Sequence, residues 1–156
     1  MVFVLLDIDG VMVTTPSWKI PDFLDDGFMK FNEKAVQNLA KLLSLQVCHL
    51  VITSTHRVNY NEAAWISILE KRALQPAALS KLNDESSLLP GITRCAEIQT
   101  WYEQHGSVAP SIIIDDDSSL HDLPPTLKEK WVQTAPLKGF DDTAFEKAVL
   151  LLQQQV

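Results

Sequence analysis

This chain has little of what a membrane, secreted or duplex-binding protein needs. It holds two cysteines, Cys48 and Cys95, in 156 residues. That is too few for a disulfide framework, so a reducing, cytoplasmic setting is expected. Basic residues are outnumbered, 13 against 20 acidic ones, for a formal charge of −7. Phosphate neutralisation along a duplex needs clustered Lys and Arg, so duplex-DNA binding is not expected. Long apolar runs are missing, and none reaches the length of a membrane span. The apolar N-terminal stretch has no basic residue ahead of it and holds two aspartates, Asp7 and Asp9. Neither a leader nor a membrane anchor is expected there. No repeat or low-complexity linker divides the chain, and its length suits one domain over residues 1–156.

What the chain does have is a set of short apolar runs that end abruptly in polar clusters. Val2–Leu6 is apolar at both parities, as in a strand buried on both faces of a parallel sheet. It runs straight into Asp7, Ile8, Asp9 and Gly10. Residues 47–53 repeat the pattern and end in Thr53, Ser54, Thr55, His56 and Arg57. Residues 112–114 do so again, ending in Asp115, Asp116 and Asp117. A last short strand is expected around Val132.

Helical periodicity fills the gaps. One helix opens on Asn32 as N-cap, with Glu33 in its first turn and an apolar stripe of Val36, Leu39, Ala40, Leu42 and Leu43. A second contains Trp65, Ile68 and Leu69. A third spans 94–104, with Ile98, Trp101 and Tyr102 on one side and Gly106 as its stop. The last spans 141–155, with Phe145, Val149 and Leu152 facing inward. Residues 12–31 have no clean period and read as an ordered flap or small insert. Its aromatics, Trp18, Phe23, Phe28 and Phe31, are expected in the core, with stacking on a base or sugar as the alternative. Residues 73–93 read as irregular.

Strands alternating with helices indicate an α/β domain with a mostly parallel sheet. In such sheets ligands bind outside the carboxyl ends of the strands. Those ends share one edge, so Asp7, Asp9, Ser54, Asp115 and Asp116 are expected to converge. Four carboxylates together would repel one another and raise their pKa values. A hard divalent cation such as Mg²⁺ resolves this with oxygen ligands and substrate phosphate. An aspartate there can also attack phosphorus, and a second can move the proton. Hydroxyls and backbone N–H groups after the second strand would hold phosphoryl oxygens, and Arg94 or Lys81 would offset transition-state charge.

The stretch "LLDIDGV" resembles the first motif, DxDG(T/V), of the haloacid dehalogenase (HAD) superfamily of phosphohydrolases. "LVITS" and "IIIDDD" resemble its second and fourth motifs, in the same order. The run "TSTHR", "RCAEIQTWYEQHG" and "IIIDDDSSL" is similar to small capless HAD domains associated with RNA-repair proteins. The resemblance implies a three-layer Rossmann-like fold with no full cap domain and a Mg²⁺-dependent phosphatase working through an aspartyl-phosphate. It makes Asp7 the nucleophile and a metal ligand. It makes Asp9 the general acid/base, with its backbone carbonyl on the metal, and completes the metal site with Asp115 or Asp116. Ser54 and Thr55 would bind phosphate, with Thr53 or Thr55 replacing Ser54 after a one-residue shift, and an N-cap as Ser54's plainer role. Arg57 would contact phosphate or pair with a surface carboxylate. Arg94 is the expected third-motif cation, ahead of Lys81. His56 stands where the narrower group has Trp, and reads as an ordinary loop histidine; Cys95 stands where that group has Gly. Asp117 is expected to be solvated.

Absence of a cap implies an open site, which suits a large phosphorylated substrate such as an RNA or DNA end. The alternatives are a small-metabolite phosphatase and a non-catalytic binding module that keeps the fold. Intact Asp7 and Asp9 argue against the last.

Overall fold

A computed structural model describes residues 1–84, 91–105 and 109–155; Gly106, expected to stop the third helix, lies outside these described residues. Five strands, β1 (Val2–Leu6), β2 (Cys48–Ile52), β3 (Ala78–Lys81), β4 (Ser111–Asp115) and β5 (Trp131–Gln133), form one sheet in the order β3-β2-β1-β4-β5. Every pairing is parallel. The helices are α1 (Glu33–Leu45), α2 (Glu62–Lys71), α3 (Arg94–His105), the short α4 (Pro125–Lys128) and α5 (Asp142–Gln155).

Alternation along the strands builds two apolar layers. Val4, Leu6, Leu50, Ile52, Ile112 and Ile114 point to one face, where α1, α2 and α5 cover them. Leu5, Val51 and Ile113 point to the other, against Ile98, Trp101 and Tyr102 of α3. This is the α/β domain expected of the pattern and the three-layer arrangement that the resemblance implies, with a Rossmann-like sheet parallel in every pairing.

Strand β3 interrupts the stretch expected to be irregular. It is four residues long, pairs at the sheet edge with β2 and buries only Leu79 well. So short and partly exposed a strand has neither the apolar run nor the alternation that marks its neighbours.

The insert at 12–31 forms no helix and only isolated bridges, Asp9 with Val13 and Phe23 with Met29. Its far end is pinned by Arg72, just past α2. The buried Arg72 guanidinium donates to the carbonyls of Phe28 (3.1 Å) and Met29 (2.8 Å) and to Asp26 Oδ2 (2.6 Å). It also lies over the rings of Phe28 and Phe31. An irregular segment leaves carbonyls short of backbone partners; Arg72 supplies donors to Met29 O and adds to the Leu24 N–H (2.9 Å) on Phe28 O. The aromatics divide. Phe28 and Phe31 are buried, as expected; Trp18 and Phe23 are not. Every residue from 14 to 27 is exposed or half-buried, so this part of the insert runs outside the layer that Phe28 and Phe31 fill.

Candidate active site

The chain leaves β1 toward β2 and β3, then returns to place β4 and β5 on the other side of β1. The reversal opens a crevice between β1 and β4 at their carboxyl ends, the usual ligand position in an open α/β sheet. The ladder continues one residue beyond β1 and β2: Asp7 N donates to Ile114 O (3.0 Å) and Thr53 N to Leu6 O (2.9 Å). Asp7, Thr53 and Asp115 are therefore level. They share the parity of Leu5, Val51 and Ile113, and so turn toward the face covered by α3.

Arg94, the first residue of α3, meets them there. It donates to Asp115 Oδ2 at 2.7 Å and to Thr53 Oγ1 at 3.4 Å, and lies 3.4 Å from Asp7 Oδ1. Asp116 completes the group: one oxygen from each of Asp7, Asp115 and Asp116 fits within 4.8 Å of the others. Asp116 reaches inward past Gly10, whose φ of +81° shapes the turn after Asp9. Thr134 Oγ1 fixes the same turn from β5's end, donating to Gly10 O at 2.8 Å.

The electrostatics show an unbalanced centre. Burial pushes the Asp7 carboxyl well above the usual carboxylate range; the charge of Asp115 adds to this and Arg94 offsets part of it. Burial also raises Asp116, partly opposed by its hydrogen bond with Asp7. For Arg94, burial alone favours loss of its proton, but Asp115 and Asp7 outweigh it and hold the guanidinium firmly charged. Arg94 thus meets Asp115 and Asp7, and no cation among the described residues pairs with Asp116. The donor set is all hard oxygen, it is short of positive charge, and it fits a divalent cation of the Mg²⁺ type.

Asp9 stands apart from that group, a correction to the expected convergence of four carboxylates. The chain has already turned at Ile8, whose carbonyl accepts from Val11, Met12 and Val13 N–H. The Asp9 side chain is 60% exposed, with Oδ2 at 2.9 Å from His56 Nε2. The His56 ring in turn packs edge-on against Phe28, with centroids 5.4 Å apart. His56, expected to be an ordinary loop histidine, therefore anchors one Asp9 oxygen and leaves the other free.

The second polar cluster is rearranged as well. It is the Thr53 hydroxyl, not that of Ser54, that faces Arg94. Ser54 Oγ accepts from His56 N–H at 3.2 Å and caps the 3₁₀ turn at Thr55–Asn59. Thr55 is exposed and lines a cavity of about 310 Å³ together with Thr93 and Arg94. Arg57 turns inward and is fully buried. It donates to the carbonyls of Thr53 (3.1 Å) and Ser54 (3.3 Å) and pairs with Glu97. Of its two expected partners it takes a carboxylate, but a largely buried one. Glu97 also lies 3.7 Å from Arg94 Nε, one helical turn back, so Arg57 braces Arg94 through Glu97. Lys81 donates to Arg57 O at 3.1 Å and makes no ion pair with the carboxylates. Asp117 is half-buried and caps the turn after β4 through Ser119 N–H.

A family model described as "HAD domain in Swiss Army Knife RNA repair proteins" matches residues 3–145. No curated protein and no solved structure matches the chain.

Proposed function

Since the chain belongs to the family of HAD domains found in Swiss Army Knife RNA repair proteins, we propose that it hydrolyses a phosphomonoester through an aspartyl-phosphate on Asp7. The observation that carries this reading is the level row of Asp7, Thr53 and Asp115 at the switch point, with Arg94 bridging it and Asp9 held outside it.

Asp7, Asp115 and Asp116, with the backbone carbonyl of Asp9, would hold Mg²⁺. Bound there, the cation supplies positive charge to the carboxylates and to the phosphoryl oxygens. The Asp7 carboxylate attacks phosphorus, and the bond from phosphorus to the alcohol oxygen breaks. Asp9 gives that oxygen a proton from the carboxyl oxygen His56 leaves free. Water then attacks the aspartyl-phosphate and loses its proton to Asp9; inorganic phosphate leaves and the Asp7 carboxylate is restored. Thr53 and Arg94 hold the equatorial oxygens while charge builds on them. Thr55 lines the approach.

A polynucleotide end is the first substrate for this reading. The family description supports it, and so does an insert without helix or sheet of its own, which leaves the edge uncovered for a large substrate. No helix among the described residues is long and apolar enough to cross a membrane, and we place the activity in the cytoplasm. The test is turnover of p-nitrophenyl phosphate with Mg²⁺, followed by a screen of oligonucleotides phosphorylated at either end. Asp7→Asn abolishes turnover on this reading. Activity that survives the substitution refutes the nucleophile, and a wild type inactive on every phosphoester favours a binding module.

A further inference from the structure

The exposed part of the insert presents large apolar side chains beside the carboxylates. Trp18 is 76% exposed, and its neighbours Ile20 and Phe23 are exposed too. Trp18 lines a cavity of about 430 Å³ with Asp9, Gly10, Asp116, Pro136 and Leu137. One wall is the insert; the opposite wall is the loop after β5, where Leu137 is also exposed. The cavity therefore opens onto Asp9, the carboxylate that on the reading above gives the departing alcohol its proton.

Its chemistry is selective. Among the described residues no Lys or Arg lines it, and its two charged residues are the carboxylates Asp9 and Asp116. A second phosphate there would meet the Asp9 carboxylate with no Lys or Arg side chain to offset it. A flat, uncharged group with a π face meets an indole it can stack on, the contact by which aromatic side chains hold bases irrespective of sequence. The size is that of an ordinary small-ligand site. The cavity that Arg94 itself lines holds Thr55, Thr93 and Ser119 together with Glu97 and Asp117, and no aromatic residue among the described ones; the guanidinium, which the Trp18 cavity lacks, suits it to phosphate oxygens rather than a base.

We infer that the Trp18 cavity receives the nucleoside whose phosphate is removed, with its base stacked on the Trp18 indole. The assignment rests on the phosphomonoesterase reading and adds the site that recognises the leaving group. A free nucleotide and the end of a single strand present the same chemistry to it.

Trp18 can be followed by its own fluorescence, because Trp65, Trp101 and Trp131 are buried. Asp7→Asn protein is titrated with adenosine 5′-monophosphate, adenosine 3′-monophosphate and a single-stranded oligonucleotide bearing a terminal phosphate, against glycerol 2-phosphate. The nucleotides quench the exposed emission and saturate; glycerol 2-phosphate does not. Trp18→Phe removes the quenching signal. Trp18→Ala, on the wild-type background, lowers kcat/KM for nucleotide relative to glycerol 2-phosphate on the order of tenfold, through KM, and Trp18→Phe recovers most of it. The source is the ligand that saturates at lower concentration, mononucleotide or strand end. Equal losses on both substrates, or quenching that survives Trp18→Phe, overturn the assignment, as does hydrolysis of nucleotides without quenching. Quenching by nucleotides in a protein that hydrolyses no phosphoester leaves the cavity assignment standing and overturns the phosphomonoesterase reading instead.

Discussion

Arg94 donates to Asp115 at 2.7 Å, and this contact joins the start of α3 to the end of β4 across the crevice. The same guanidinium lies 3.4 Å from Asp7, so one side chain holds both sides of the switch point together.

Removing it leaves Asp7 and Asp115 with no counter-charge among the described residues. Loss of one partner of a buried pair costs about 3–5 kcal/mol. Arg94→Ala should therefore lower the urea midpoint markedly in EDTA, and Mg²⁺ should return part of the loss. Turnover should fall on the order of 10²–10³-fold even in saturating Mg²⁺. A midpoint unchanged in EDTA would mean that Arg94 does not offset these charges.

The raised Asp7 carboxyl has a stability consequence with a definite sign. Its folded pKa lies above the unfolded one, so the folded state binds the proton more tightly. That contribution is complete below the unfolded value, near about 4, and is lost as pH rises through the raised folded value. Metal-free wild type and Asp7→Asn should therefore differ least at the acid end. The advantage of Asp7→Asn should grow as pH rises, then level off. Thermal melts of both proteins in EDTA across this window check it; an advantage that shrinks with rising pH contradicts the burial of a charged Asp7.

Thr53 and Ser54 separate cleanly. Thr53→Val removes the hydroxyl that faces Arg94 and should cut kcat/KM for p-nitrophenyl phosphate by about 10²-fold with little change in melting temperature. Ser54→Ala removes a cap and should cost about 0.5–2 kcal/mol of stability, with a smaller effect on turnover than Thr53→Val. Steady-state kinetics and urea melts on the pair decide; the reverse ordering returns the phosphoryl contact to Ser54.

His56 holds Asp9 by one oxygen, so its loss should matter most where protonation of the leaving oxygen matters most. His56→Ala should cost on the order of tenfold more with an alkyl phosphate than with p-nitrophenyl phosphate, whose leaving group departs without much help. His56→Gln keeps a donor and should recover part of the difference. A loss equal across leaving groups would reduce His56 to a packing residue against Phe28.

Much of this architecture is legible in the chain. Doubly buried strands announce themselves as apolar runs, and β1, β2 and β4 each end in the polar cluster that marks the sheet edge. The N-cap Asn32 accepts from Ala35 N–H at 3.0 Å, where the start of α1 is expected. What the chain does not reveal has a common cause. A strand apolar at both parities carries no sign of which residues face which layer, so the choice between Thr53 and Ser54 has no sequence marker; register alone fixes it. Glu97 and His56 are set by contacts 40 and 47 residues away, with Arg57 and Asp9, and no local spacing encodes such distances. The division of the insert's aromatics follows from where Arg72 fastens the chain, which is equally non-local.

Gly10 carries a further meaning. A Cβ added there would stand 2.1 Å from Asp116 Oδ2, closer than any two such atoms can approach. The hydrogen that glycine presents in place of a side chain acts as a steric gauge for the cluster of Asp7, Asp115 and Asp116, letting Asp116 lie against the turn at position 10. Even a methyl group at position 10 would displace the Asp116 carboxylate without changing its charge. The spacing of the carboxylates is thus written partly in a residue that offers no donor atom from a side chain.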